Sequence, residues 1–356
     1  MSVTDRPIIF VTGASRSGTT LLSFVLRNHS AVFGLRELQY FGQAWDPRDG
    51  RRSFTEREAI EAAANMLARQ EQGALMSVTE DAHRWEAAAI VARLGPSVLD
   101  PAALYAAVVL GLAGAAGKPI ACEQTPRNIF YARALLDLYP ASHVVHIVRD
   151  PRAVMASQKK RWQRRRLSSS PSRVPHYESL RVWVNYHPYT IARLWSRATA
   201  EAVALEAHPR VTLVRFEDLV LEPESTVRRL CERIGLGYEP RMLDVGQVNS
   251  SHQTAAGGTR RGLHSDAIDQ WRDVLSPAEI DITESMCASW MPRMGYDFHA
   301  PRNVSWATRS WYRFSYMGHL AGVLMVNPTR AYVQGRALMR HPTPGYRAAA
   351  DAAAKG

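Results

Sequence analysis

Four short apolar runs rich in β-branched residues punctuate the chain, at Ile8–Val11, Ile120–Cys122, Val144–Val148 and Val211–Phe216. Each has the length and composition of a buried strand. Between them apolar positions recur at three- and four-residue spacing over Arg57–Gln70, Pro101–Leu112 and Tyr177–His208, which predicts helices. Strands that alternate with helices predict an α/β fold of three layers, with a central parallel sheet flanked by helices on both faces. Ligands of such sheets bind beyond the carboxyl ends of the strands.

Three stretches depart from this rhythm. Leu167–Pro175 is rich in Ser and Pro and reads as a surface loop. Asn249–Gly262 is rich in Ser, Thr, Ala and Gly and carries Arg260 and Arg261 near its end, the pattern of a flexible ligand lid. Beyond Pro301 the chain interleaves Trp306, Trp311, Tyr312, Phe314, Tyr316 and Tyr332 with arginines and the apolar run Leu320–Val326. An interfacial membrane helix or a contact with a lipid-like substrate would use such a mixture. The favoured reading is an extra helical layer packed on the core, with its arginines snorkelling to water. Residues 1–300 therefore read as one domain and 301–356 as a C-terminal helical, aromatic and basic extension.

The 46% apolar and 22% charged content is ordinary for a globular chain of 356 residues, but the net charge of +11 is not. Such charge suits an anionic cofactor, an acidic substrate, an anionic membrane surface or nucleic acid. The densest basic run, Lys159-Lys160-Arg161-Trp162-Gln163-Arg164-Arg165-Arg166, comes without a recognised nucleic-acid module, so no specific nucleic-acid partner is expected. It is assigned to drawing in an anionic cofactor or to docking on acidic lipid. Three widely spaced cysteines (Cys122, Cys231, Cys287) form neither a zinc pattern nor a disulfide framework. With a first strand that begins almost at once, they point to a reducing, cytoplasmic compartment; the basic run and the aromatic tail leave peripheral membrane contact as a further option. Ala102–Ala116 is too short and glycine-broken for a membrane span and reads as a buried helix. A homodimer is compatible with all of this.

The first strand runs into Gly13-Ala14-Ser15-Arg16-Ser17-Gly18-Thr19-Thr20. A nucleotide triphosphatase loop would read G-x-x-x-x-G-K-[ST]; here Thr19 stands where the lysine would be, and the cation is Arg16 inside the loop. Gly13 and Gly18 permit tight turns that aim backbone N–H groups inward. Leu21, Leu22, Val25 and Leu26 then recur at helical spacing, so a helix N-terminus opens near Thr19 or Thr20 and favours an anion. A plain Gly/Ser turn is the alternative; Arg16, two threonines and the strand–helix context favour the anion site. A second such site lies in the stretch His146–Ser157. Arg149 ends a strand, Asp150 suits an N-cap, Pro151 a first helical turn, and Ser157 falls about two turns along. No metal is expected.

Together these stretches resemble the sulfotransferases that use 3′-phosphoadenosine 5′-phosphosulfate (PAPS). Ser15-Arg16-Ser17-Gly18-Thr19-Thr20-Leu21-Leu22 resembles the family's 5′-phosphosulfate loop, and Arg149 and Ser157 match its 3′-phosphate arginine and serine with their eight-residue separation. Arg215-Phe216-Glu217-Asp218-Leu219 resembles a Tyr-Glu-Asp-Leu segment, and Trp271, Leu275-Ser276-Pro277 and Gly295-Tyr296 resemble its closing region. The likeness spans roughly residues 7 to 298. It implies a P-loop-like fold that binds PAPS, releases adenosine 3′,5′-bisphosphate and uses no metal. Arg16, Ser17, Gly18, Thr19 and Thr20 would hold the 5′ end; Arg149, Ser157 and Arg161 would hold the 3′-phosphate. Phe216 would lie beside the nucleotide, and residues 255–264, with Arg260 and Arg261, would cover the adenine. An arginine in the loop is similar to tyrosylprotein sulfotransferases and many bacterial relatives, whose base is a Glu soon after the first helix. Matching His29–Glu37 to theirs puts that base at Glu37, with Arg16 as its catalytic partner.

Three positions depart from the pattern: Gln124 stands for the lysine in Glu123-Gln124-Thr125-Pro126, Phe216 for a tyrosine, and Gln270 for the lysine before Trp271. The expected reaction is in-line transfer of a sulfuryl group to a hydroxyl acceptor such as a lipid, glycan or phenol. The alternatives are a nucleotide kinase or other NTPase of similar fold, and a non-catalytic nucleotide-binding protein. His29 and His146 titrate nearer neutrality and rank below Glu37 as bases, His29 as a helix-end residue and His146 as a strand residue of the core.

Overall fold

Burial on both faces is what makes the strands legible as unbroken apolar runs. In the computed structural model, which describes residues 3–49, 53–73, 77–94, 99–160, 180, 183–246, 262–299, 304–328, 331, 332 and 335, all six residues of β1 (Ile8–Gly13) are buried. Ile8 and Phe10 point into one apolar layer, Ile9 and Val11 into the other. The strands β2 (Val32–Gly34), β3 (Ile120–Glu123), β4 (His143–Val148) and β5 (Val211–Arg215) complete the sheet in the order β2-β3-β1-β4-β5. Every adjacent pair is parallel. The expected α/β architecture is therefore present, with β1 at the centre of the sheet and the carboxyl ends of all five strands on one edge.

The helices are α1 (Thr19–Arg27), α2 (Glu56–Gln72), α3 (Asp81–Leu94), α4 (Pro101–Ala115), α5 (Ala132–Leu138), α6 (Pro151–Lys159), α7 (Pro188–Val203), α8 (Phe216–Leu221), α9 (Pro223–Ile234), α10 (Trp271–Val274), α11 (Pro277–Cys287) and α12 (Trp306–Val326). Helices α1, α8 and α9 cover the face of Ile9 and Val11, with Leu22, Leu219 and Val227 as anchors. The opposite face carries α2 to α7 and α11, where Phe10, Tyr105 and Tyr139 pack ring to ring. Helix α4 is buried on nearly all sides from Pro101 to Leu110, which explains its apolar sequence without a membrane. Among the described residues no helix is long and apolar enough to cross a membrane. Capping sets the starts: Asp100 accepts the N–H of Ala102, and Thr55/Glu58 and Ser276/Glu279 form reciprocal capping boxes.

Two expectations need correction. The helix expected over 177–208 is interrupted: His187 is extended (φ −154°, ψ 135°) and caps α7 by accepting the N–H of Tyr189 on its ring. Pro188 is the reason, since a residue preceding proline is pushed out of the helical region; positions 177–179 lie outside the described residues. The C-terminal helix is also not a layer packed on the core. Only Val323 of α12 is buried, and Trp306, Phe314 and Met325 are 82%, 77% and 80% exposed. Its docked face is the polar, ring-bearing row. His319 and Tyr316 stand 5.0 and 5.1 Å from the His187 ring, and Thr190 Oγ1 lies 2.8 Å from His319 Nε2. Arg309 pairs with Asp281 of α11 at 3.0 Å rather than snorkelling past an apolar seam.

That seam carries a pH dependence. Burial, then the neighbouring His319, pushes His187 down to about 4 from 6.5, and burial lowers His319 as well. The other groups facing the pair are Tyr189, Tyr312, Tyr316 and Arg193, whose guanidinium lies over the Tyr316 ring. A lowered histidine favours the neutral, docked form, so docking should be complete above pH 6.5 and weaken as pH falls towards 4. Each ring weakens it by at most about tenfold per pH unit. Amide hydrogen exchange of α12 should accelerate across that window in the native protein. In His187→Asn, which keeps a helix-capping side chain, the acceleration should shrink.

Candidate functional site

The loop after β1 is shaped by two residues in the left-handed region, Arg16 (φ 81°) and Gly18 (φ 103°). A Cβ on Gly18 would come within 2.6 Å of the Phe216 ring, and one on Gly13 within 2.7 Å of the Ile147 carbonyl oxygen. The loop therefore needs glycine at both places for close approach, and at Gly18 for backbone freedom as well. Helix α1 begins at Thr19 with no side-chain cap on its first-turn N–H groups, which leaves them for an anion. Ser17 is fully buried, and among the described residues its Oγ has no hydrogen-bond partner.

The second loop meets the first directly. Arg16 Nε donates to Ser157 Oγ at 3.0 Å, linking residues 141 positions apart. Arg149, at the end of β4, is 8% exposed and donates to the carbonyls of Arg16 (3.3 Å) and Ala267 (2.6 Å), with its plane 4.2 Å over the Phe216 ring. Its Nε is buried without a hydrogen-bond partner among the described residues. Burial lowers the Arg149 guanidinium, opposed by Glu217 and Asp150. A buried cation and a buried hydroxyl, each with bonding capacity to spare, fit an anion with several oxygens.

Supporting residues hold that strand end in place. Asp150 caps α6 through the N–H of Arg152, and its own N–H donates to Glu217 (3.1 Å). Glu217 also accepts from Tyr296 (2.7 Å), and Trp195 donates from Nε1 to the Arg149 carbonyl (2.8 Å). Arg152 pairs with Asp150 and Glu284 and lies 4.3 Å over the Trp271 ring. The Trp271 and Tyr296 segments thus close on the Arg149 corner. Trp195 carries no signal in the sequence beyond being an apolar position of a helix.

Glu37 leaves the same sheet edge on the segment after β2. Gly34 pairs with Cys122 and Phe10 with Glu123, so β3 stands between that segment and the loop after β1. The end of β3 grips the segment. Glu123, 1% exposed, accepts from the Leu38 N–H (3.1 Å), Asn128 Nδ2 (2.7 Å) and the Thr125 hydroxyl, while the Gln39 N–H donates to Thr125 Oγ1 (3.1 Å). Gln39 adopts φ 54°, and its side-chain amide donates to Glu37 Oε1 (2.9 Å). Arg69 holds the Leu38 carbonyl (2.7 Å), and the charge of Glu37 opposes the lowering that burial imposes on the Arg69 and Arg127 guanidinium groups. Among the described residues Arg127 Nη1 is buried without a hydrogen-bond partner. Glu123 and Arg127 flank the substituted Gln124, so the sequence placed them beside a motif without showing what they hold.

Burial pushes the Glu123 carboxyl up to about 7, against the hydrogen bonds from Thr125 and Leu38. An acid raised from 4.5 contributes stability that is full below pH 4.5 and declines as pH rises to 7. Thermal unfolding of Glu123→Gln should lack that decline and sit about 2 kcal/mol lower for the lost acceptor.

The two histidines are structural. His146 is 1% exposed, lies 3.2 Å from Thr12 Oγ1 by Nδ1, and is pushed down to about 3 by burial. His29 follows the end of α1; its Nδ1 accepts from the Ala31 N–H, and Nε2 lies 2.8 Å from the Gly237 carbonyl. Arg161, Arg260 and Arg261 lie outside the described residues. Of the segment expected over the adenine, Leu263 packs beside the layer that holds Phe216.

Residues 7–240 match the model of a family described as Sulfotransferase family. The chain belongs to the sulfotransferase family. The matched span contains both loops, Glu37, the Glu123 clamp and Phe216, and ends before α10. Nodulation protein NoeE of Sinorhizobium fredii is 26% identical over 313 residues, covering 83% of this chain and 67% of that protein. Human carbohydrate sulfotransferase 6 is 31% identical over 167 residues, 43% of this chain and 41% of its own length, so the match spans less than half of that relative. The solved sulfotransferase domain from the curacin biosynthetic pathway covers 83% of this chain and 99% of its own at 18% identity, with a TM-score of 0.49.

Proposed function

We propose that this chain transfers the sulfuryl group of PAPS to a hydroxyl acceptor, with Glu37 as base. The observation that carries the reading is the joining of two loops by the Arg16–Ser157 bond, with Ser17 Oγ and Arg149 Nε buried and without hydrogen-bond partners among the described residues. Two such loops on one sheet edge suit a nucleotide with phosphates at both ends. Thr19 in the lysine position argues against a grip on a γ-phosphate, and so against a kinase.

In this reading Arg149 and Ser157, with Arg161, hold the 3′-phosphate, and Arg16, Ser17, Gly18, Thr19 and Thr20 hold the 5′-phosphosulfate. Phe216 packs beside the nucleotide, and Arg260 and Arg261 belong to the segment over the adenine. The acceptor oxygen bonds to sulfur as the bond from sulfur to the bridging oxygen breaks. The electron pair leaves on the 5′-phosphate, the hydroxyl proton passes to the Glu37 carboxylate, and adenosine 3′,5′-bisphosphate departs. Negative charge that builds on the bridging oxygen is met by Arg16 and by the open N–H groups at the start of α1. With Gln124 at the position where many relatives carry lysine, Arg16 bears that load. Catalysis is assigned to residues 1–300 and no metal is required. The acceptor is a glycan, phenol or lipid hydroxyl, and human carbohydrate sulfotransferase 6 supports a sugar by its name. Three free buried thiols, Cys122, Cys231 and Cys287, fit a reducing cytoplasm.

Calorimetry with adenosine 3′,5′-bisphosphate, ADP and ATP tests the reading. The bisphosphate should bind at least about tenfold more tightly, the worth of one charge-assisted contact. Equal or tighter binding of ATP would return the site to the NTPase class.

A further inference from the structure

Helix α12 is amphipathic the wrong way round for a helix that packs on a core. Its inner row (Tyr312, Ser315, Tyr316, His319) meets the body through rings and hydrogen bonds. Its outer row presents Trp306, Phe314, Met317, Leu324 and Met325 to solvent, each 60% exposed or more, with Trp311 at 65% on one flank. At 1.5 Å per residue the 21-residue helix is about 32 Å long, and the row runs along it. A contiguous apolar row of that size marks an interaction surface rather than scattered surface residues.

Charge decides what covers it. The helix contains no Asp or Glu, and Arg309 and Arg313 lie within it. Across 301–356 there are seven arginines and one lysine against Asp351 alone, a net charge of 8 − 1 = +7, more than half of the +11 of the whole chain. A second copy of the same face would bring like charges together, whereas an anionic lipid surface supplies the complement and accepts the apolar row. Tryptophans with arginines are the side chains that sit at the boundary between headgroups and acyl chains.

We propose that α12 is an interfacial anchor that lays its outer row into an anionic membrane surface, lying in the plane of the bilayer. Its inner row is bonded to α7, so the anchor holds the folded domain against the lipid rather than on a free tether.

The test is flotation of the full chain with vesicles of phosphatidylcholine, with and without 30 mol% phosphatidylglycerol. Binding to the anionic vesicles at least about tenfold tighter, and weakened by salt, is expected. Phe314→Glu/Met317→Glu should abolish it while leaving affinity for adenosine 3′,5′-bisphosphate unchanged, which shows that the variant folds. In the unaltered protein, brominated phosphatidylglycerol should quench tryptophan emission, and Trp306→Phe/Trp311→Phe should remove most of that quenching. Failure to float with either vesicle would overturn the proposal. So would a dimer that Phe314→Glu/Met317→Glu converts to monomers without any vesicle binding, since a second copy would then cover the row. Floating that survives Phe314→Glu/Met317→Glu would also overturn it, placing the lipid contact elsewhere. These outcomes are independent of whether the nucleotide site takes PAPS.

Discussion

Glu37→Gln is expected to lower kcat about 10²- to 10⁴-fold, the usual worth of a positioned general base. Affinity for adenosine 3′,5′-bisphosphate should stay within about twofold, because Glu37 leaves the sheet on the segment after β2, with β3 between it and the loop after β1. The substitution keeps the acceptor of the Gln39 amide bond in place, since the glutamine carbonyl oxygen can occupy the Oε1 position. The segment is held independently by Glu123, Thr125 and Arg69 through the backbone of Leu38 and Gln39, so it should not move. What is lost is the capacity to take a proton from the attacking hydroxyl. Single-turnover kinetics with PAPS and a saturating acceptor read the step directly. A variant that retains more than about a tenth of the native rate would remove Glu37 from the role.

Arg149→Met should weaken binding of adenosine 3′,5′-bisphosphate about 100-fold while leaving adenosine 5′-phosphate nearly unchanged. The contrast between ligands separates a lost phosphate contact from a damaged fold, because Arg149 also supports the carbonyls of Arg16 and Ala267. A buried charge-assisted contact to a phosphate is worth about 2–3 kcal/mol, which is the source of the expected factor. Arg149→Lys should recover only part of it. Lysine keeps the charge but not the fork, and it lacks the planar face that lies over Phe216. An equal loss for both ligands would mean that Arg149 acts on the loop rather than on a 3′-phosphate.

The strands were legible to the extent that they are buried on both faces. β1, β3, β4 and β5 were each read to within two residues at either end, because a parallel strand between two helical layers has no polar alternation to blur it. β2 escaped because Val32-Phe33-Gly34 is three residues long and pairs with β3 alone. At the candidate site, Gly13–Thr20 and the Arg149–Ser157 spacing stood out because a phosphate loop writes its local backbone needs into consecutive positions. The bond from Arg16 to Ser157 could not be read this way, since it depends on two loops from neighbouring strands meeting in space. Glu123 was visible only as the neighbour of Gln124; its grip on Leu38 across 85 residues is a property of the fold. The error over α12 has a different origin. Aromatic and apolar residues occur around the whole helix, so periodicity shows a helix there but not which row meets the body.

The Arg16–Ser157 contact makes the two loops of the candidate site answer to each other. With Arg149 also bonded to the Arg16 carbonyl, a change at one loop reaches the other through a single residue. Substitutions at Arg149 and Ser17, far apart in sequence, should therefore be non-additive in a double-mutant cycle. A two-phosphate ligand should likewise gain more than the sum of its one-phosphate fragments, because the first contact to form sets the geometry for the second. Discrimination against mononucleotides would then come from how the loops are tied together, and not only from how many charges they carry.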